Sequence, residues 1–199
     1  MSKLMISLMA AAGIAFAGAA HAANDATTMS RDQYKAEKDR IEAAYKSDKD
    51  ACKSQTGNAK DVCEKEAKGK EKVAKADLEA QYKNTDKARY DARVAKADAA
   101  YDVSKEKCDD LKGNDKDVCV KEAKAAYTKS KADAKVARVS NEQMARTSTT
   151  NTSKVSDTKR EAREDTREAQ YKVAKEKCDA LSGNAKDKCV SDAKLRYAQ

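Results

Sequence analysis

Six cysteines are the side chains in this sequence whose spacing most directly invites chemistry. They form three pairs, Cys52/Cys63, Cys108/Cys119 and Cys178/Cys189, in the segments "CKSQTGNAKDVC", "CDDLKGNDKDVC" and "CDALSGNAKDKC". Structural zinc favours cysteines two to four residues apart, often with histidine, and a thioredoxin-like site needs Cys-x-x-Cys. Neither pattern is present, so no metal, cofactor or redox centre is expected. Disulfide bonding remains. Six cysteines allow 15 pairings in principle, and the internal repetition selects the one that joins the two cysteines within each segment.

A disulfide across ten intervening residues needs elements that bring its ends together. Gly57, Gly113 and Gly183 occupy the same place in each segment, followed by Asn58, Asn114 and Asn184. Tyr45, Tyr101 and Tyr171 stand seven residues before the first cysteine, and an Ala-Lys pair follows each second cysteine. This is a threefold internal repeat. Glycine past a helical pattern is the usual left-handed C-cap, and asparagine is a favoured N-cap. Each unit therefore reads as helix, tight turn, helix. Asp61, Asp117 or Asp187 lies near the positive end of the second helix. The cysteines fall about one turn from the bend on antiparallel arms, where a bridge is geometrically feasible. Closing such a loop contributes about 3 kcal/mol on the chain-entropy model.

Composition explains why staples matter. Residues 23–199 contain one Ile, four Leu, eleven Val and two Met, with no His, Phe, Trp or Pro. So little apolar area cannot offset the chain entropy of a thick core. The bulk of the chain is Ala, Lys, Glu, Arg and Gln, the strong helix formers. The expected fold class is all-α: three extended antiparallel helical hairpins, coiled-coil-like, with little globular core. Tyr34, Ile41, Tyr45 and Cys52 mark one inward stripe, and Tyr90, Ala97, Tyr101 and Cys108 repeat it. In the third copy Arg160 and Arg167 take the apolar places. After the turns, Cys63, Ala67, Ala74, Leu78 and Tyr82 share a face. The tyrosines read as packing residues with wetted hydroxyls.

The predicted organisation is a signal peptide at 1–22, a disordered N-terminus at 23–29, hairpins at 30–83 and 86–145, a Ser/Thr-rich linker at 146–153, and a third hairpin at 154–199. Helices are expected near 30–55, 59–82, 86–111, 115–145, 154–181 and 185–197. Gly69 is expected to bend the second arm. First cysteines are 56 residues apart between copies one and two and 70 between copies two and three. The extra 14 residues are placed in the linker region.

The N-terminus, "MSKLMISLMAAAGIAFAGAAHA", combines Lys3, an apolar run and Ala20-His21-Ala22, the pattern of a secretory leader cut after Ala22. The run is too short to span a bilayer, and no later segment is apolar enough. The chain then works in the periplasm, where disulfides persist. Beyond the leader the net charge is +7, from 41 basic and 34 acidic residues, without a long run of one sign. The densest basic cluster is "KGKEKVAK", residues 68–75. With histidine gone and the cysteines committed, no catalytic residue is assigned and an enzyme is not expected.

The Ala/Lys/Glu-rich stretch "EKEAKGKEKVAKADLEAQYK", residues 64–83, resembles the long helical region of TolA, a cell-envelope protein of Gram-negative bacteria. The repeated "GNAKDVC" pattern is similar to small exported bacterial proteins called TolA-like or cell-envelope biogenesis proteins. The resemblance implies a non-enzymatic structural or interaction protein of the envelope, with envelope proteins or its own helical faces as partners. The alternatives are a polyanion or lipopolysaccharide binder and a small periplasmic chaperone or stress protein.

Overall fold

The computed structural model describes residues 29–146 and 152–198, and every regular element among them is helical. Helix α1 (Arg31–Ala51) ends in a 3₁₀ turn at Cys52–Ser54. It is followed by α2 (Gly57–Lys83) and by α3 (Asp86–Lys107), which ends in a second 3₁₀ turn at Cys108–Asp110. Then come α4 (Gly113–Arg146), α5 (Thr152–Cys178) and α6 (Gly183–Tyr197). The leader, residues 23–28 and the linker centre at 147–151 lie outside the described residues.

Local chemistry sets the ends. Ser30 starts α1 with a reciprocal capping box: its hydroxyl accepts from the Gln33 backbone at 3.1 Å, and the Gln33 side chain accepts from the Ser30 backbone at 2.9 Å. Asn84 closes α2 in the left-handed region (φ +48°), and the Thr85 hydroxyl caps α3 by accepting from the Ala88 backbone at 3.1 Å. Two residues suffice to reverse the chain there.

Each helix packs on its neighbours in sequence, and no other helix pair makes contact of comparable extent. The result is an antiparallel meander one helix thick. Alternating direction puts the three Gly-Asn bends and their disulfides at one edge of the layer. The link 84–85 lies at the opposite edge.

Packing between repeats, α2 on α3 and α4 on α5, is more extensive than packing within them. The sequence led us to expect three hairpins, each with one inward stripe. The hairpins are present, but α2, α3, α4 and α5 each bury two opposite sides. Ala88, Ala92, Ala95 and Ala99, spaced four, three and four, form a buried stripe on α3 opposite the α4-directed one. Small side chains allow close approach, and Gly69 marks the limit. A Cβ placed there would lie 3.0 Å from the Ala99 Cβ. Helix α2 runs unbroken past Gly69, whose missing side chain admits α3.

The core is correspondingly small. It consists of Ile41, Leu78, alanines and half-cystines, and the largest fully buried side chains are Cys52, Cys108 and Cys178. The extra 14 residues of the third spacing prove mostly helical. α4 is 34 residues long against 27 for α2, and α5 reaches 27 against 22 for α3. The additions amount to about two turns on α4 and about one and a half on α5.

Candidate functional site

The cysteine edge forms as its spacing required. Cys52–Cys63, Cys108–Cys119 and Cys178–Cys189 are bonded, with Cα–Cα separations of 5.6, 5.6 and 5.7 Å, and no described cysteine is free. These lie within the normal range for unstrained bridges. The first half of each pair is fully buried, so the sulfurs close the layer and offer no nucleophile. Three disulfides mark a chain that matures in an oxidising, exported compartment. No described helix is long and apolar enough to cross a membrane.

The turns differ in one respect from expectation. Gly57, Gly113 and Gly183 take the left-handed conformation, with φ of +57°, +54° and +51°. Nothing lies within 4 Å of a Cβ added at any of them, so backbone geometry alone calls for glycine. Each glycine, however, is the first residue of the second helix, and Asn58, Asn114 and Asn184 sit one place further in. They are not N-caps. The residues in the cap position before α2 and α6, Thr56 and Ser182, make no side-chain cap bond. Asn58 instead donates to the Glu106 carbonyl at 3.2 Å, tying the first bend to the second repeat.

That bond belongs to a junction used twice. Lys65 faces Glu106 at 3.6 Å and Lys107 faces Glu66 at 2.9 Å. Fifty-six residues on from α2, the same signs recur between Lys121 and Glu176 at 3.8 Å and Lys177 and Glu122 at 2.6 Å. At the outer ends the pattern stops: Asp50-Ala51 stands in place of Glu-Lys on α1, and Ser191-Asp192 in place of Lys-Glu on α6. These residues had no visible role in the sequence. The signal was there, because Lys-Glu follows the second cysteine of repeats one and two, and Glu-Lys precedes the first cysteine of repeats two and three.

The tyrosines bridge helices. Tyr34 and Tyr82 pack with ring centroids 4.5 Å apart, and Tyr101 stacks on Tyr127 at 5.0 Å. In the second repeat Arg138 takes the place equivalent to Tyr82 and lies 5.4 Å over the Tyr90 ring. Tyr34 donates to Glu79 at 2.7 Å, which raises the phenol's pKa. Glu79 is held below the usual carboxylate value by bonds from Lys83 and Tyr34. Asp98 joins three helices, accepting from Lys72 of α2 at 2.7 Å and Tyr127 of α4 at 2.8 Å. Burial works to raise its pKa, but the Lys72 and Tyr127 bonds together outweigh it and hold the carboxyl low.

A groove of about 580 Å³ runs across α1, α2 and α3 at the edge away from the disulfides. Its floor includes Ala76, Leu78, Ala88 and Ala95, and its rim carries Lys38, Lys72, Lys75, Lys83 and Lys87. Four of those lysines are already matched by carboxylates: Asp98 at 2.7 Å, Glu71 at 2.7 Å, Glu79, and Asp91 at 2.6 Å respectively. Its charge is thereby largely cancelled. Among the described residues no cluster of three His, Cys, Asp or Glu side chains is placed to hold a metal ion. No protein-family model, curated protein or solved structure matches this chain.

Proposed function

We propose that this chain is a periplasmic, non-enzymatic scaffold of the bacterial cell envelope, TolA-like in composition and freed of its leader after Ala22. The single observation that carries this reading is the architecture: a covalently stapled layer one helix thick, whose two broad faces are open. A core built mostly of alanine and half-cystine, with few large apolar side chains, supports the non-enzymatic reading. A layer with extensive surface and little interior is suited to present side chains at fixed spacing to other envelope components.

The test is deletion of the gene, followed by measurement of detergent sensitivity and leakage of periplasmic contents. Integrity should be lost on deletion and restored by the wild-type chain, but poorly by a chain with all six cysteines replaced by serine. Recovery of the native protein from the cytosol with free thiols would overturn the reading. So would catalytic turnover that survives purification and vanishes with one carboxylate.

A further inference from the structure

The repeat supplies an internal control for surface chemistry: a charge that changes sign between equivalent positions is not fixed by the packing the copies share. Seven positions on the first helix of each repeat stand out. In α1 and the turn after it they are Arg31, Lys35, Lys38, Glu42, Lys46, Lys49 and Lys53. In α3 the equivalents are Lys87, Asp91, Val94, Asp98, Asp102, Lys105 and Asp109. In α5 they are Asp157, Glu161, Glu164, Glu168, Lys172, Lys175 and Asp179. The first repeat thus carries six cations and one carboxylate where the second carries two and four, and the third two and five.

Spaced by three and four, the α1 cations fall within about 80° of the helix circumference and extend over about 33 Å. All six are exposed. Lys53 pairs with Asp50 at 2.7 Å, and the other five make no ion pair among the described residues. Glu42, the acid inside the stripe, is engaged by Lys75 of α2 at 3.4 Å. The linear sequence hides this stripe because acids alternate with the lysines. Asp32 and Asp50 lie about 80° from its centre and Asp39 about 60°.

We propose that the exposed cationic stripe of α1 binds a linear polyanion bearing phosphate or phosphate-like groups, which runs along the helix. The stripe gives the scaffold reading a partner class and rests on that reading. A chain suits the geometry better than a flat anionic surface. On the same broad face the equivalent stripes of α3 and α5 carry carboxylates, most of them ion-paired, so neither stripe continues the cationic line of α1. A chain that follows α1 meets its cations along their whole length, whereas a plane laid across the layer meets them at one edge.

Anisotropy of a fluorescein-labelled linear polyphosphate, titrated with the disulfide-bonded chain from residue 23 onward, tests this. Binding should weaken with salt, and log K against log salt should have a slope of about −4 for six contacts with a flexible chain. Lys35→Asp combined with Lys46→Asp installs the residues that α3 itself tolerates at those places. It should weaken binding about tenfold or more at unchanged helicity. Lys105→Asp combined with Lys159→Asp makes the same change in net charge elsewhere and should leave binding within about twofold. Three results would overturn the assignment: no binding by the wild-type chain at low salt, equal loss in both double variants, or binding to phosphatidylglycerol vesicles but not to polyphosphate. Intact disulfides and envelope localisation alongside absent binding would leave the scaffold reading standing.

Discussion

At the scale of single residues, the positions that matter most are those where backbone or charge has one acceptable solution. Gly113 has a φ of +54° with open space around its missing side chain. Gly113→Ala should therefore cost about 1–2 kcal/mol, the strain of a left-handed L-residue, with no packing component. Chemical denaturation followed by circular dichroism measures it. Gly69 is the converse case: ordinary helical backbone but no room. Gly69→Leu should separate α2 from α3 and cost about 1–3 kcal/mol by overpacking, read as a lower midpoint in the same assay. Charge adds a pH dependence. Glu79 and Asp98 titrate below the free values of 4.5 and 3.8. A depressed carboxylate contributes stability that is complete above its unfolded pKa and is lost as pH falls through the folded one. Thermal stability should accordingly be insensitive to these groups at neutral pH and should decline below about pH 4.5. Asp98→Asn should be less stable at neutral pH and should lose less on acidification.

Among the elements, α6 depends most on its staple. It has 15 residues, packs only against α5 and buries Ala193 as its one buried residue. A helix of that length is marginal in water without tertiary support. Replacing Cys178 and Cys189 by serine should fray α6, seen as faster amide exchange across 183–197. Replacing Cys108 and Cys119 should lower the unfolding free energy by about 3 kcal/mol while leaving α3 and α4 helical, because α2 and α5 still cover them. The short reach of α6 also explains the third repeat. Arg160 and Arg167 stand where α3 has Tyr90 and Ala97, and they are exposed on a part of α5 that the described residues of α6 do not reach. Polar substitution there follows the absence of a covering helix in the described structure. The junction ion pairs set register more than stability. They are largely exposed, so a double-mutant cycle on Lys121 and Glu176 should return less than about 1 kcal/mol.

For the whole molecule, the layer resembles other repeat architectures in that each unit contacts only its neighbours, so stability is a sum of unit and interface contributions. Its two outer faces are treated as ends. The reciprocal Lys-Glu pairing is missing from both, and at the C-terminal face Leu195 occupies the place of Gly69 and Ala125 and is 79% exposed. A leucine there blocks the close helix approach that joins the repeats, so a further copy cannot add in the same geometry. Leu195→Gly removes that block, and light scattering should show whether it changes mass. The wild-type chain should form no open head-to-tail polymer at any accessible concentration.

The disulfide pairing, the helical class, the left-handed glycines and the stripes through Ile41, Ala97 and the cysteines were all legible along the chain. Each depends on residue type and local spacing, and a threefold repeat states such patterns three times. The layer itself was not. Alanine is both the usual filler of exposed helices and the side chain that permits close packing, so Ala88, Ala92, Ala95 and Ala99 carry the same letter for opposite environments. Only the approach of α3 to Gly69 decides between them. Likewise the α1 lysines are interleaved with acids in sequence and separate from them only when the helix turns. What the sequence determined by itself was where the chain bends and how the bends are locked; which sides of the resulting rods meet was decided by tertiary contact, because small and charged side chains take their meaning from their neighbours.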